Sequence, residues 1–273
     1  MRLFANLPLS YAHNEPGYLH LCASRHIDPE LGADAQGIDT PTAAWHARTA
    51  QTLTDASLAC SMHLPFLDLY PASPDPLPRE AAKKRLASAL ELVPTYNPRH
   101  LIAHACYHHA THGQNPEAWL QHHLDLWADL APLWPDSTPL YLENTYEADP
   151  EPVRTLADAL GRSLPHKHIG TCFDIGHWHS FAHGHARHDL DRWLAAMRPD
   201  HLHLHDNDGT NDQHLGLGQG TIPWEHFARL LENHHLTPTA TLEPHTPEDL
   251  TLSLAYLHSH PTLFSNVREV EKR

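Results

Sequence analysis

Residues 139–176, PLYLENTYEADPEPVRTLADALGRSLPHKHIGTCFDIG, read as strand, helix, strand. PLYLENT is a short apolar, aromatic run that ends in polar residues. PEPVRTLADALG carries its apolar residues at helical spacing, and IGTCFDIG is a second apolar run of strand length. The helix opens at Asp149-Pro150, where an Asp side chain caps the first turn and Pro is preorganised for it. Two strands joined by one helix form the unit of a parallel sheet.

The same alternation extends in both directions. RLFANL, YLHLCAS, LACSMHLPF, HLIAHACY, PLYLENT, IGTCFDIG, HLHLHD and TATLEPH are eight candidate strands. Most are separated by segments of helical spacing, among them PREAAKKRLASALELVP, PEAWLQHHLDLWADLAPLW, DLDRWLAAM, PWEHFARLLENH and PEDLTLSLAYLHSH. The first two units are the least regular. No linker, repeat or compositional break divides the chain, so residues 1–273 are expected to form one α/β domain, a single (β/α)8 TIM barrel. A doubly wound sheet would place a glycine-rich phosphate turn after the first strand, and none is there.

Composition narrows the function. Against 33 acidic residues there are 18 Lys and Arg, a formal charge of −15, which argues against nucleic acid as a partner. No apolar run approaches the ~20 residues needed to span a bilayer, and the N-terminus lacks the features of a secretion signal. Cys22, Cys60, Cys106 and Cys172 are far apart, with no C-x-x-C pair, so a reduced, cytoplasmic setting is expected.

The chain holds 29 histidines, and placing the polar residues on the strands shows where some of them matter. His63, His104, Glu143 and Asp174 end the third to sixth strands, His203 lies in the seventh, and Glu243 ends the eighth. Six consecutive strands thus deliver a metal-capable side chain at the end of a barrel where active sites form. His177, in DIGH, and Asp212 and His214, in DQH, follow in loops. Imidazole nitrogens and carboxylate oxygens suit zinc, manganese or iron. A lone histidine at a strand end is usually an ordinary hydrogen-bonded residue, but nine coordinated placements describe a metal centre. His108, His109, His122, His123, His183, His185, His188, His234 and His235 are read as solvated or supporting residues. Cys106 and Cys172, two residues from His104 and Asp174, are read as barrel-lining packing on the same strand faces.

ENT at 143–145, FDIGHWHSFAHG at 173–184, HLHD at 203–206 and DQHLGLGQG at 212–220 resemble the xylose isomerase-like TIM barrels, in particular the endonuclease IV (AP endonuclease family 2) branch, over nearly the whole chain. The resemblance implies three divalent ions, zinc foremost. His63, His104 and Glu143 would hold one; Glu143, Asp174, His203 and Glu243 a second; His177, Asp212 and His214 the third. Glu143 and Glu243 would be the catalytic carboxylates, with no organic cofactor. Gly216, Gly218 and Gly220 would let the loop turn into the next helix. HACYHH and EPH depart from the endonuclease pattern beside the metals and, with the acidic charge, count against DNA cleavage. The implied activity is hydrolysis of a small-molecule phosphodiester, with the nucleotide loop of a cobamide, a B12-type corrinoid, as the leading substrate. The alternatives are a divalent-metal sugar or sugar-phosphate isomerase or epimerase, and a non-catalytic metal-binding protein.

Overall fold

The computed structural model describes residues 3–182 and 187–270, apart from the side chains of 187 and 188. Eight strands, β1 (Phe4–Pro8), β2 (Asp28–Gly32), β3 (Ser61–His63), β4 (Leu101–His104), β5 (Leu140–Glu143), β6 (Ile169–Asp174), β7 (His201–Leu204) and β8 (Thr239–Leu242), form one closed parallel barrel in sequence order. Helices pack around it; in the one after β5, Glu151–Ser163, Pro150 rather than Asp149 takes the cap position and Asp149 Oδ1 accepts Glu151 N–H at 3.0 Å, while two others start as the sequence predicts. Asn115 caps the helix Pro116–Leu130 through Ala118 N–H, and Thr246 caps Pro247–Ser259 through Asp249 N–H. No helix among the described residues is long and apolar enough to cross a membrane.

One strand differs from expectation. YLHLCAS is not β2 but part of the helix Gly17–Arg25, whose Tyr18, Leu19 and Cys22 recur at helical spacing against the core. The strand is DPELG, ten residues further on, and its inward face is charged. Asp28 is fully buried and accepts a 2.7 Å hydrogen bond from Ala59 N–H. Glu30 is also buried in the barrel, where Ser61 Oγ and Thr241 Oγ1 each donate to its Oε2 at 2.9 Å. A strand that buries carboxylates and contains Pro29 has no apolar alternation to read.

Cys106 also departs from the reading. β4 stops at His104, and Cys106 lies in the following loop with φ 54°, off the strand face. Cys172 is on β6 and fully buried, as expected of packing. Burial pushes the Cys106 thiol up to about 12, and Cys172 is raised as well, so neither is primed as a nucleophile.

The loop after β7 is organised by Asp206. Its Oδ1 accepts from Asn207 N–H (3.0 Å) and Ile222 N–H (3.2 Å), and its Oδ2 from Gly218 N–H and Trp224 Nε1–H (both 2.9 Å). Of the three glycines, Gly218 has φ +79°, and at Gly220 a Cβ would run into the Asn207 carbonyl and the Asp206 carboxylate. Asp206→Ala would leave four donors without their acceptor, so urea denaturation is expected to show a loss of at least about 3 kcal/mol. A loss below about 1 kcal/mol would mean that the loop is held by other contacts.

Candidate metal centre

All nine sequence-predicted ligands come together at the carboxyl end of the barrel. Register explains part of this, because His104 pairs with Glu143 across β4 and β5 and Asp174 with His203 across β6 and β7. Glu143 is central. Its Oε2 is 3.0 Å from His63 Nε2 and 3.2 Å from His104 Nε2, while its Oε1 is 3.1 Å from His203 Nδ1 and 3.3 Å from His177 Nδ1. Glu243 follows β8 by one residue, with Oε1 3.2 Å from His203 Nδ1. Asp212 Oδ2 is 3.3 Å from His177 Nε2 and 3.1 Å from His214 Nε2.

Local structure aims these groups. Asp174 ends β6 and caps the helix Ile175–Phe181, accepting His177 N–H on Oδ1 at 2.6 Å, which places His177 on the first turn beside it. Asn144 Nδ2 donates to the Asp174 carbonyl and its Oδ1 accepts Asp174 N–H, both at 2.9 Å, so the ends of β5 and β6 are tied together. Three imidazoles rest Nδ1 against a backbone carbonyl: His63 on Leu64 (2.8 Å), His177 on Asn144 (3.0 Å) and His214 on Glu243 (2.8 Å). Each therefore carries its proton on Nδ1 in the neutral form and turns Nε2 toward a carboxylate, the arrangement that prepares a histidine for a cation.

The fit to metal ions rests on buried atoms that no hydrogen bond satisfies. Asp174 Oδ2, Asp212 Oδ1, both ring nitrogens of His203 and both of His205 are enclosed without one. Such atoms are rare in folded proteins, and convergent imidazole and carboxylate groups around them suit divalent cations. Among the groups of described residues with donor atoms close enough to share an ion are His177, His205, Asp212 and His214; His63, Glu143 and His203; Glu143, Asp174 and His177; and Glu30, His203 and Glu243.

The sequence matches the xylose isomerase-like TIM barrel family over residues 29–260. The chain belongs to that family. Among solved structures, the TTHB071 protein from Thermus thermophilus, from a crystal soaked with ZnCl2, is 28% identical with a TM-score of 0.70, covering 95% of this chain and 97% of that one. A D-tagatose 3-epimerase-like protein shares 18% identity and a TM-score of 0.76, covering 97% and 98%. Endonuclease IV from Thermus thermophilus shares 17% and 0.67, covering 95% and 100%. No protein of curated function matches the sequence.

Within this xylose isomerase-like barrel, three further residues join the mouth or lie just beneath it. His205 Nε2 is 3.2 Å from Asp174 Oδ1, and its ring stacks on His214 at 3.9 Å, while the ring of His245 also stacks on His214, at 3.8 Å. Glu30 Oε1 lies 3.0 Å from His203 Nε2, beneath the cluster. His205 is signalled by its spacing, two residues after His203 and just past the end of β7; Glu30 is hidden in the unread strand. Among the histidines read as solvated or supporting, His123 is in fact buried against Trp119, where burial pulls its pKa down to about 3. His234 is paired with Asp191 at the surface, and His183, His185 and the side chain of His188 lie outside the described residues.

Charges in the mouth shift strongly without metal. Burial opposes ionisation of Glu143, but His203 and His104 outweigh it and hold the carboxyl well below its usual range. Burial also opposes charge on His214, yet Asp212 and Glu243 raise it from 6.5 to about 9. Against burial, neighbouring carboxylates likewise raise His177 and His203. A raised folded-state pKa stabilises fully below the unfolded value and fades as pH climbs through the folded one. Chelator-treated protein should therefore lose stability from pH 6.5 toward pH 9, while zinc affinity rises over the same interval as protons leave the ligands. Buried histidines with lowered values, such as His104 and His201, complete most of their titration by 6.5 and contribute little above it. Urea midpoints and zinc titrations across this range check both trends; a flat apo-stability profile would contradict the charge arrangement.

Proposed function

We propose that this chain is a metal-dependent phosphodiester hydrolase acting on a small molecule, with zinc as the leading metal and manganese or iron as alternatives. One ion would be held by His63, His104 and Glu143, a second by Glu143, Asp174, His203 and Glu243, and a third by His177, Asp212 and His214, with His205 beside it. The observation that carries this reading is the position of Glu143, one oxygen facing His63 and His104 and the other facing His203, the posture of a bridging carboxylate. Divalent ions bound there would supply a water of lowered pKa and neutralise charge on a phosphate. Glu143 is assigned to hold two ions at a fixed separation, and Glu243, whose carboxyl burial raises, to hold and move a proton at the reacting oxygens. Asn144 and the capping carboxylate of Asp174 keep the group in register, and Asp206 fixes the loop that carries Asp212 and His214.

Membership of a family whose structural neighbours include endonuclease IV and sugar epimerases leaves two enzymatic readings to separate. Sugar isomerisation or epimerisation needs one ion with Glu143, Asp174, His203 and Glu243, and assigns nothing to His63, His104, His177, Asp212 and His214. Hydrolysis employs them all. DNA is disfavoured as the substrate by the formal charge of −15. The nucleotide-loop phosphodiester of a cobamide is the first natural substrate to assay, on the strength of the sequence resemblance, and the free cysteines fit a cytoplasmic enzyme.

The deciding experiment is His214→Ala in protein purified without a histidine tag. Metal content should fall toward two ions per chain and phosphodiester turnover by on the order of a hundredfold, the usual cost of losing one stabilising contact to the reacting phosphate. Full phosphodiesterase activity in the variant, or a wild type that converts sugars and leaves every phosphodiester intact, would favour the isomerase.

A further inference from the structure

Beside the ligand cluster opens a cavity of about 1000 Å³, at the upper end of the size range of small-molecule sites. A phosphodiester group on the metals would occupy only its inner edge. The described lining beyond that edge contains no Lys or Arg. Alongside polar groups such as Asp68, Ser73 and Thr111, it carries a wall of rings and aliphatic side chains, including Tyr11, Tyr18, Phe66, Leu67, Tyr70 and Tyr146.

These side chains are exposed to an unusual degree. Six large hydrophobic residues in the described chain are strongly exposed, and five of them, Tyr11, Phe66, Leu67, Tyr70 and Tyr146, line this one cavity. Concentration of exposed apolar surface around one opening marks a binding surface, whereas scattered residues do not. Two of the rings are held in place. Phe66 stacks on His104 at 4.5 Å and meets His63 edge-on at 5.1 Å, so the apolar wall begins at the metal cluster itself. Tyr146 stacks on His108 at 5.3 Å and packs against Phe181 at 4.7 Å. Aromatic surface ordered before binding loses little conformational entropy when a ligand covers it.

We infer that this wall binds the uncharged, ring-bearing body of a substrate in which the phosphodiester is the only anionic group. The inference rests on the phosphodiesterase reading and specifies its substrate class. A polyphosphate or an oligonucleotide would bring further negative charge to a surface with no Lys or Arg to meet it. A bare sugar would cover little of the exposed apolar surface of Tyr11, Phe66, Leu67, Tyr70 and Tyr146. A single phosphodiester held by the metals, with a broad apolar or aromatic body lying across Phe66, Leu67 and Tyr70, matches both halves of the cavity.

The test compares two monoanionic diesters by calorimetry on zinc-loaded protein: diphenyl phosphate, with two rings, and dimethyl phosphate, with none. Diphenyl phosphate is expected to bind at least about tenfold more tightly, and Leu67→Ser with Tyr70→Ser, both at exposed positions, should remove most of that preference. Circular dichroism and metal content check that the double variant is folded and loaded. Equal affinity for the two diesters, no binding of diphenyl phosphate, or a preference that survives the double substitution would overturn the inference. Hydrolysis of bis(p-nitrophenyl) phosphate by the same protein is a separate readout. Its absence, with the binding preference intact, would refute the reaction and leave the apolar site standing.

Discussion

The placement of Glu143 at the end of β5 is the constraint around which the barrel mouth is built. Its carboxylate is almost fully buried, and it is held there by four imidazoles, two on each oxygen. A buried charge is costly unless it is paired, so moving any of the four changes the balance at the others. The parallel register of β4 against β5 and β6 against β7 delivers these groups to one level, and the Asn144 clamp keeps β5 and β6 from sliding apart.

The polar character continues down into the barrel. Below the mouth, Glu30 meets His203, and His201 sits between Thr239 Oγ1 (2.7 Å) and Thr241 Oγ1 (2.8 Å). Barrel interiors are ordinarily filled by layers of branched apolar residues. Here the apolar material lies largely outside the strands, where Trp127, Trp178, Trp193 and Phe227 pack between barrel and helices. The outer layer supplies hydrophobic stabilisation, and the inner one is left to hold charge in defined positions.

How much of this is legible in the sequence depends on which way a residue faces. Seven strands announce themselves because their outward residues are apolar against the helices, as Leu140 and Leu142 are in β5. β2 does not, because Asp28, Pro29 and Glu30 erase the alternation, and the more apolar YLHLCAS nearby is a helix. Six of the nine candidate ligands are legible because strand ends can be located once the strands are, and His177, Asp212 and His214 because they lie in short His/Asp spacings just beyond them. Glu30 is lost with its strand. The role of Asn144 is invisible because it lies in a pair of side-chain hydrogen bonds to a residue 30 positions away. The aromatic wall is equally silent in sequence: Tyr11, Phe66, Tyr70 and Tyr146 come from three separate parts of the chain and converge only in three dimensions.

The account stands on a multinuclear centre with Glu143 as its bridge, and a crystal structure of the zinc-loaded protein with anomalous scattering measured at the zinc edge tests that most directly. It predicts three peaks: one between His63, His104 and Glu143, one between Glu143, Asp174, His203 and Glu243, and one between His177, Asp212 and His214. A single peak held by Glu143, Asp174, His203 and Glu243, with His63, His104, His177, Asp212 and His214 all free of metal at saturating zinc, would contradict it.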